Sequence, residues 1–134
     1  MEYLQSEFVI YDQQDKVQLP QVVSLLKQSY WANERTLADI ERSIKHSVCF
    51  SLYKNEQQIG FARVVTDYST IAYICDVIID SAFRGKGLGK WLTQTAINDP
   101  RWETLFQMLA TNDAHTLYEQ SGYMKSNLLM GKNI

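Results

Sequence analysis

Ile71-Ala72-Tyr73-Ile74-Cys75-Asp76-Val77-Ile78-Ile79-Asp80 runs into Ser81-Ala82-Phe83-Arg84-Gly85-Lys86-Gly87-Leu88-Gly89-Lys90 and then Trp91-Leu92-Thr93-Gln94-Thr95-Ala96-Ile97-Asn98. The first block is apolar and rich in β-branched residues, with Asp76 as its one charged interior residue. That composition predicts a central strand buried on both faces. From Arg84 to Lys90, three glycines and three cations alternate. Leu88, Trp91, Leu92, Thr95 and Ala96 then recur with the period of an amphipathic helix. The stretch reads as strand, glycine-rich loop, helix.

Such a loop is suited to an anion. Glycine lets the backbone approach a ligand closely, and the first turn of a helix carries unpaired N–H groups at the positive end of its dipole. Arg84, Lys86 and Lys90 add charge at the same place. A phosphate or pyrophosphate is the expected guest, against the plainer alternative of a cationic turn without a ligand. The dinucleotide fingerprint G-x-G-x-x-G fails, because Gly85, Gly87 and Gly89 alternate and position 90 is Lys. The phosphate loop G-x-x-x-x-G-K-[ST] fails at Arg84 and at Trp91.

What remains is Arg84-x-x-Gly87-x-Gly89 after a strand. It resembles the acetyl-CoA pyrophosphate loop, Q/R-x-x-G-x-G/A, of the GCN5-related N-acetyltransferase (GNAT) superfamily. Downstream, Leu117-Tyr118-Glu119-Gln120-Ser121-Gly122-Tyr123 resembles the family's L-Y-E-x-x-G-F/Y segment, in fitting order and spacing.

Outward from these motifs, Phe8 to Tyr11 is expected as a first strand. Pro20 opens a helix carrying Leu19, Val22, Val23, Leu26 and Tyr30. Thr36 with Asp39 resembles an N-cap pair before Leu37, Ile40 and Ile44. Residues 48–53 and 58–66 read as a hairpin around a polar turn. Strand parity places Ile59, Phe61, Arg63 and Val65 on one face. Arg63 either reaches into a cleft or lies at a solvated edge. Asp99-Pro100 ends the loop helix. A strand over 104–110 follows, then a helix over 114–121 capped by Asp113 and closed by Gly122. A last strand is expected over 123–130. The order β-α-α-β-β-β-α-β-α-β describes one α/β (α+β) domain over residues 1–134. It agrees with the GNAT fold, a mixed, mostly antiparallel central sheet flanked by helices, in which two strands at the motifs splay to admit the pantetheine arm.

Composition agrees with an ordinary globular domain: 134 residues, 46% apolar, 21% charged, net charge −2. That charge gives no sign of nucleic-acid binding across a broad surface, and no nucleic-acid partner is expected. No apolar run reaches the ~18 residues of a membrane span, and no signal segment opens the chain, so no membrane partner and a cytoplasmic location are expected. Cys49 and Cys75 read as buried small hydrophobes. With His46 and His115 they form no metal-ligand spacing, so no metal is expected.

The resemblance implies transfer of an acetyl group from acetyl-CoA to a primary amine of a small molecule or protein by direct attack. The alternatives are a non-catalytic acetyl-CoA-binding module and, given the failed fingerprints, more remotely another nucleotide-binding domain. The resemblance assigns the pyrophosphate to backbone N–H groups of Arg84, Gly85, Lys86, Gly87, Leu88 and Gly89, with Lys90 beside them, and the pantetheine amides to Val77, Ile78 and Ile79. Tyr118 matches the tyrosine near the CoA sulfur, a proton donor to the leaving thiolate. The family's frequent Asn seven residues earlier is Thr111 here, with Asn112 beside it as the candidate contact. Asp76 is a candidate base whose pKa burial would raise, or else the partner of Arg63. Tyr30, Trp31, Asn33 and Arg35 join two helices beside the acceptor cleft and, with Arg63, are substrate-contact candidates. The two aromatics would equally suit a core. Small members of the family often pair through C-terminal strands, so a homodimer is also anticipated.

Overall fold

The structure, a computed structural model, describes residues 1–111 and 113–133. Six strands form one sheet in sequence order: β1 (Glu2–Gln5), β2 (Phe8–Tyr11), β3 (Val48–Lys54), β4 (Gln57–Thr66), β5 (Ile71–Ile79) and β6 (Phe106–Met108). All neighbours are antiparallel except β5 and β6, which run parallel. A parallel pair needs a crossover, and helix α3 (Leu88–Ile97) supplies it. Helices α1 (Leu19–Lys27) and α2 (Leu37–Lys45) lie between β2 and β3 in the chain, and α4 (His115–Glu119) follows β6.

Alternation along the strands divides the core between two sheet faces. Phe50, Leu52, Ala62, Val64, Ala72 and Ile74 pack with Leu88, Leu92 and Ala96 of α3. Cys49, Phe61 and Ile78 pack with Val22, Leu25, Leu26, Ile40 and Ile44 of α1 and α2. Thr36 caps α2 as expected, accepting from the Asp39 N–H at 3.2 Å. Gly122 takes φ +92° at the end of α4, where the Tyr123 N–H closes on the Tyr118 carbonyl at 3.2 Å.

Several expectations are corrected. Ile59 joins the α3 face and not the face of Phe61, because the β3–β4 register shifts between Leu52 and Tyr53. Ile59 and Ala62 share a cluster at an odd spacing, which one extra residue in the ladder permits. A strand β1 pairs with β2, although its residues Glu2–Gln5 are mostly exposed and carry no apolar alternation. Asp113 does not cap α4; the Thr111 hydroxyl accepts from the Ala114 N–H at 3.0 Å instead. Among the described residues, 123–133 form no strand. Met124, Leu128 and Met130 are exposed there, and β6 pairs only with β5, so the apolar pattern of that segment meets no ladder.

Candidate functional site

β5 and β6 pair only at Ile71–Phe106, Ala72–Gln107 and Tyr73–Met108. Beyond Tyr73, β5 continues to Ile79 with β4 on one edge and, among the described residues, no strand on the other. The sheet therefore opens where the glycine loop begins.

A cleft of about 510 Å3 occupies this opening, lined by Val77, Ile78, Ile79, Arg84, Gly85, Gly87, Leu88, Gly89, Lys90, Thr93 and Tyr118 among others. Gly87 precedes α3 at φ +77°, and Gly85 stands at φ +83°. A side chain is strained in that region, so glycine is what the turn requires here. The first bond of the helix runs from the Trp91 N–H to the Gly87 carbonyl at 3.1 Å. Leu88, Gly89 and Lys90 therefore present the donors of the open first turn. Arg84 donates from Nε to the Ile79 carbonyl at 3.1 Å, which fixes the loop to the end of β5. Lys86 does not line the cleft; its ammonium lies 5.7 Å from the Phe83 ring centroid. Asn112 lies outside the described residues.

A second cleft, about 800 Å3, adjoins the first. Tyr30, Trp31, Val77 and Tyr118 border both, whereas Arg35, Arg63 and Asp76 border only the second. Tyr118 thus stands where the two meet. Burial pushes its phenol above the usual tyrosine range, partly offset by the Thr93 hydroxyl. The phenol is protonated at neutral pH and can donate. Thr93 itself is fully buried, and its hydroxyl meets no partner at ordinary hydrogen-bond geometry among the described residues.

Asp76 occupies a bulge in β5. Ala62 lies between pairs Phe61–Ile78 and Arg63–Cys75, so Asp76 and Val77 oppose one residue. Ile74 and Ile79 share the α3 face at odd spacing for this reason. Asp76 takes φ +53°, uncommon for a non-glycine residue though tolerated best by Asp and Asn. The bulge turns its carboxylate to the side of α1 and α2, where it is 5% exposed. There Oδ2 accepts from Arg35 Nη1 at 2.7 Å and Arg63 Nε at 2.9 Å, and Oδ1 accepts from Trp31 Nε1 at 3.2 Å. Arg63 also donates from Nη1 to the Ser47 hydroxyl at 3.0 Å.

This network decides between the alternatives for two residues: Asp76 and Arg63 are partners. Burial alone would raise the Asp76 pKa, but the hydrogen bond from Arg35 and the charge of Arg63 outweigh it, and the carboxyl lies below the usual range. A carboxylate held so low is a poor base, so the catalytic role expected for Asp76 loses its electrostatic ground. Arg63 is not at a solvated edge either, its side chain being only 15% exposed and ion-paired. Tyr30 and Trp31 are cleft residues more than core: both are exposed and pack edge-to-face at 5.0 Å. Asn33 is exposed and outside both linings.

Sequence reasoning missed Thr93, Asp113, Tyr73 and Cys75 as lining residues. Thr93 was hidden by the rotation of α3. The buried set is Leu88, Leu92, Thr93, Ala96 and Ile97, one residue round from the expected stripe. Cys49 and Cys75 are unpaired thiols, with burial pushing their pKa up to about 12 and about 11. Among the described residues, no three His, Cys, Asp or Glu side chains converge as metal ligands. No helix there is long and apolar enough to cross a membrane.

The sequence matches the family model for an acetyltransferase (GNAT) domain over residues 45–125. A Gibberella zeae protein named as an acetyltransferase, FG08082, is 27% identical over 117 residues, covering 72% of this chain and 66% of that one. The uncharacterized N-acetyltransferase ycf52 of Porphyra purpurea is 30% identical over 99 residues, covering 69% of this chain and 57% of that one. The chain therefore spans about two thirds or less of these relatives' lengths. A crystal structure of a Xanthomonas campestris protein belonging to the GNAT family superposes with TM-score 0.89 at 30% identity, covering 96% of this chain and 94% of that one.

Proposed function

The chain belongs to the GNAT acetyltransferase family, and from that premise we propose that it moves an acetyl group from acetyl-CoA to a primary amine in a cytoplasmic setting. The observation that carries this reading is the opening between β5 and β6, with the unpaired edge of β5 and the first turn of α3 lining one cleft.

The residues present fit that co-substrate. An unpaired strand edge can add an extended amide-bearing arm by main-chain hydrogen bonds, and Val77, Ile78 and Ile79 are the residues on that edge. The open N–H groups at Leu88, Gly89 and Lys90 and the turn at Gly87 suit a pyrophosphate. Arg84 and Lys90 supply charge at the loop. Acetyl-CoA supplies an activated acyl group when bound. In this reading the amine enters from the second cleft and meets it beside Tyr118, which borders both clefts and whose protonated phenol would give a proton to the departing thiolate. No side chain is assigned as base, and water in the open second cleft takes the amine's proton.

Thermal unfolding with acetyl-CoA, ATP and NAD tests the binding half. A ligand at 100 times its dissociation constant adds about 2.7 kcal/mol, and acetyl-CoA alone is expected to do so. Equal shifts with ATP or NAD would overturn the assignment. Thiol release with a panel of amines tests the transfer half; binding without release would leave an acetyl-CoA-binding module.

A further inference from the structure

The second cleft carries a charge pattern that bears on the acceptor. Two guanidiniums share one carboxylate oxygen, since Arg35 Nη1 and Arg63 Nε both donate to Oδ2 of Asp76. The arginine pair therefore exceeds its buried counterion by one positive charge. Arg63 spends a second nitrogen on Ser47. Arg35 donates through Nη1 only, and among the described residues its Nε and Nη2 have no protein acceptor. Its side chain is 26% exposed, and the residue lines the second cleft.

Trp31 adds rigidity. Its indole N–H bonds the other oxygen of the same carboxylate, so the segment carrying Arg35 is tied to the β5 bulge at two points. The guanidinium is held in place before any acceptor arrives, and preorganised donors lose little freedom on binding. A planar fork with two unused nitrogens matches an anionic group of two or three oxygens.

Position decides which end of the acceptor this would hold. Arg35 and Arg63 border the second cleft and not the first, whereas Tyr118 borders both. An amine reacting beside Tyr118 would leave the far part of its molecule toward the arginines. The cleft volume, about 800 Å3, lies in the range of small-molecule sites. On these grounds, and resting on the acetyl-transfer reading above, we infer that the acceptor is a small amine bearing an anionic group at its far end, received by Arg35 with Asp76 and Trp31 as its positioning partners.

The experiment compares matched pairs. ω-Amino carboxylates of two to five methylenes are set against their primary amides, with aminoalkyl phosphates of the same lengths as a third arm. Two readouts are taken on the intact protein: tryptophan fluorescence on titration, to which Trp31 contributes beside Trp91 and Trp102, and thiol release from acetyl-CoA. The anionic member of at least one pair is expected to bind about tenfold or more tighter than its amide, the scale of a charge-assisted hydrogen bond. The carboxylate and phosphate arms identify which anion is preferred. Arg35→Gln is expected to abolish the preference, and Arg35→Lys to keep part of it. Wild-type protein that binds acid and amide equally overturns the inference, whether or not the variants fold. Preferential binding of the anion without thiol release would keep the anion site and overturn the transfer reading instead. Thiol release without anion preference would do the reverse.

Discussion

Asp76 concentrates the chemistry of the second cleft in one residue. It holds φ +53° in a strand, is nearly buried, and accepts three side-chain hydrogen bonds. Asp76→Asn would keep the shape but remove the counterion of two partly buried guanidiniums, which is expected to cost about 3 kcal/mol. Denaturant unfolding checks this, and a loss under about 1 kcal/mol would mean the arginines are solvated. The pH dependence has a definite sign. The folded pKa lies below the ordinary carboxylate value, so the contribution is complete above pH ~4 and is lost as pH falls through the folded pKa. Asp76→Asn should therefore flatten the acid limb of the stability curve. Tyr118 shifts the opposite way, upward. Its phenol stays protonated beyond pH ~10, so turnover should show no downturn from it at lower pH. Tyr118→Phe is expected to lower turnover about 100-fold while the thermal shift with acetyl-CoA persists. Wild-type turnover in the variant across the pH range would remove Tyr118 from the chemistry. Sequence alone exposed both residues but not their states. Asp76 stood out as a charge in an apolar run, yet its partners come from positions 31, 35 and 63, and no local pattern reports that convergence.

The elements were legible in proportion to how much of their signal is local. Helix α3 and its loop declare themselves through glycines and a 3.6 period, and α2 through its Thr36 cap. The two bulges were not legible, because each depends on the register of a neighbouring strand and inverts the parity of the residues beyond it. The expected strand over 123–130 fails for a related reason: alternation is only a capacity to pair, and β6 offers just three residues of ladder. The glycines of the loop give the sharpest test of element-level reasoning. Gly87 has open space around a notional Cβ but a positive φ, whereas Gly89 lies within the helix and its Cβ would meet Ile79 Cγ1 at an ordinary 3.7 Å. Gly87→Ala is thus expected to cost about 1–2 kcal/mol through backbone strain alone. Gly89→Ala is expected to be neutral or to stabilise by up to about 1 kcal/mol. Denaturant midpoints of the ligand-free protein decide this. Equal losses from both would show that crowding, and not the left-handed turn, governs the loop.

At the scale of the whole molecule, the site exists because the sheet is coherent on one side and open on the other. β2 to β5 pair antiparallel along their lengths, bent by two bulges, with α3 on one face and α1 and α2 on the other. Only past Tyr73 does β5 lose its outer neighbour, and the two clefts meet beneath that point at Tyr118. The order from β2 to α4 could be read from periodicity, but where the β5–β6 pairing stops is set by packing between strands 35 residues apart in their first pair, Ile71 and Phe106. This division predicts a pattern of amide exchange. The slowest amides should lie in β3, β4 and the β4-facing half of β5, where both neighbours are paired and the side chains are buried. The fastest should lie in 124–133 and in the loop 84–87, whose N–H groups find few partners among the described residues. Acetyl-CoA should slow exchange at residues 77–79 and 84–90 and leave β1 and β2 unchanged, because the ligand completes an edge and a helix turn without touching the far side of the sheet. Protection that spreads evenly over all six strands would mean the ligand stabilises the fold globally from some other place, and the opening beside β5 would lose its role. Protection confined to the open edge and the loop would fix the site at the opening beside β5.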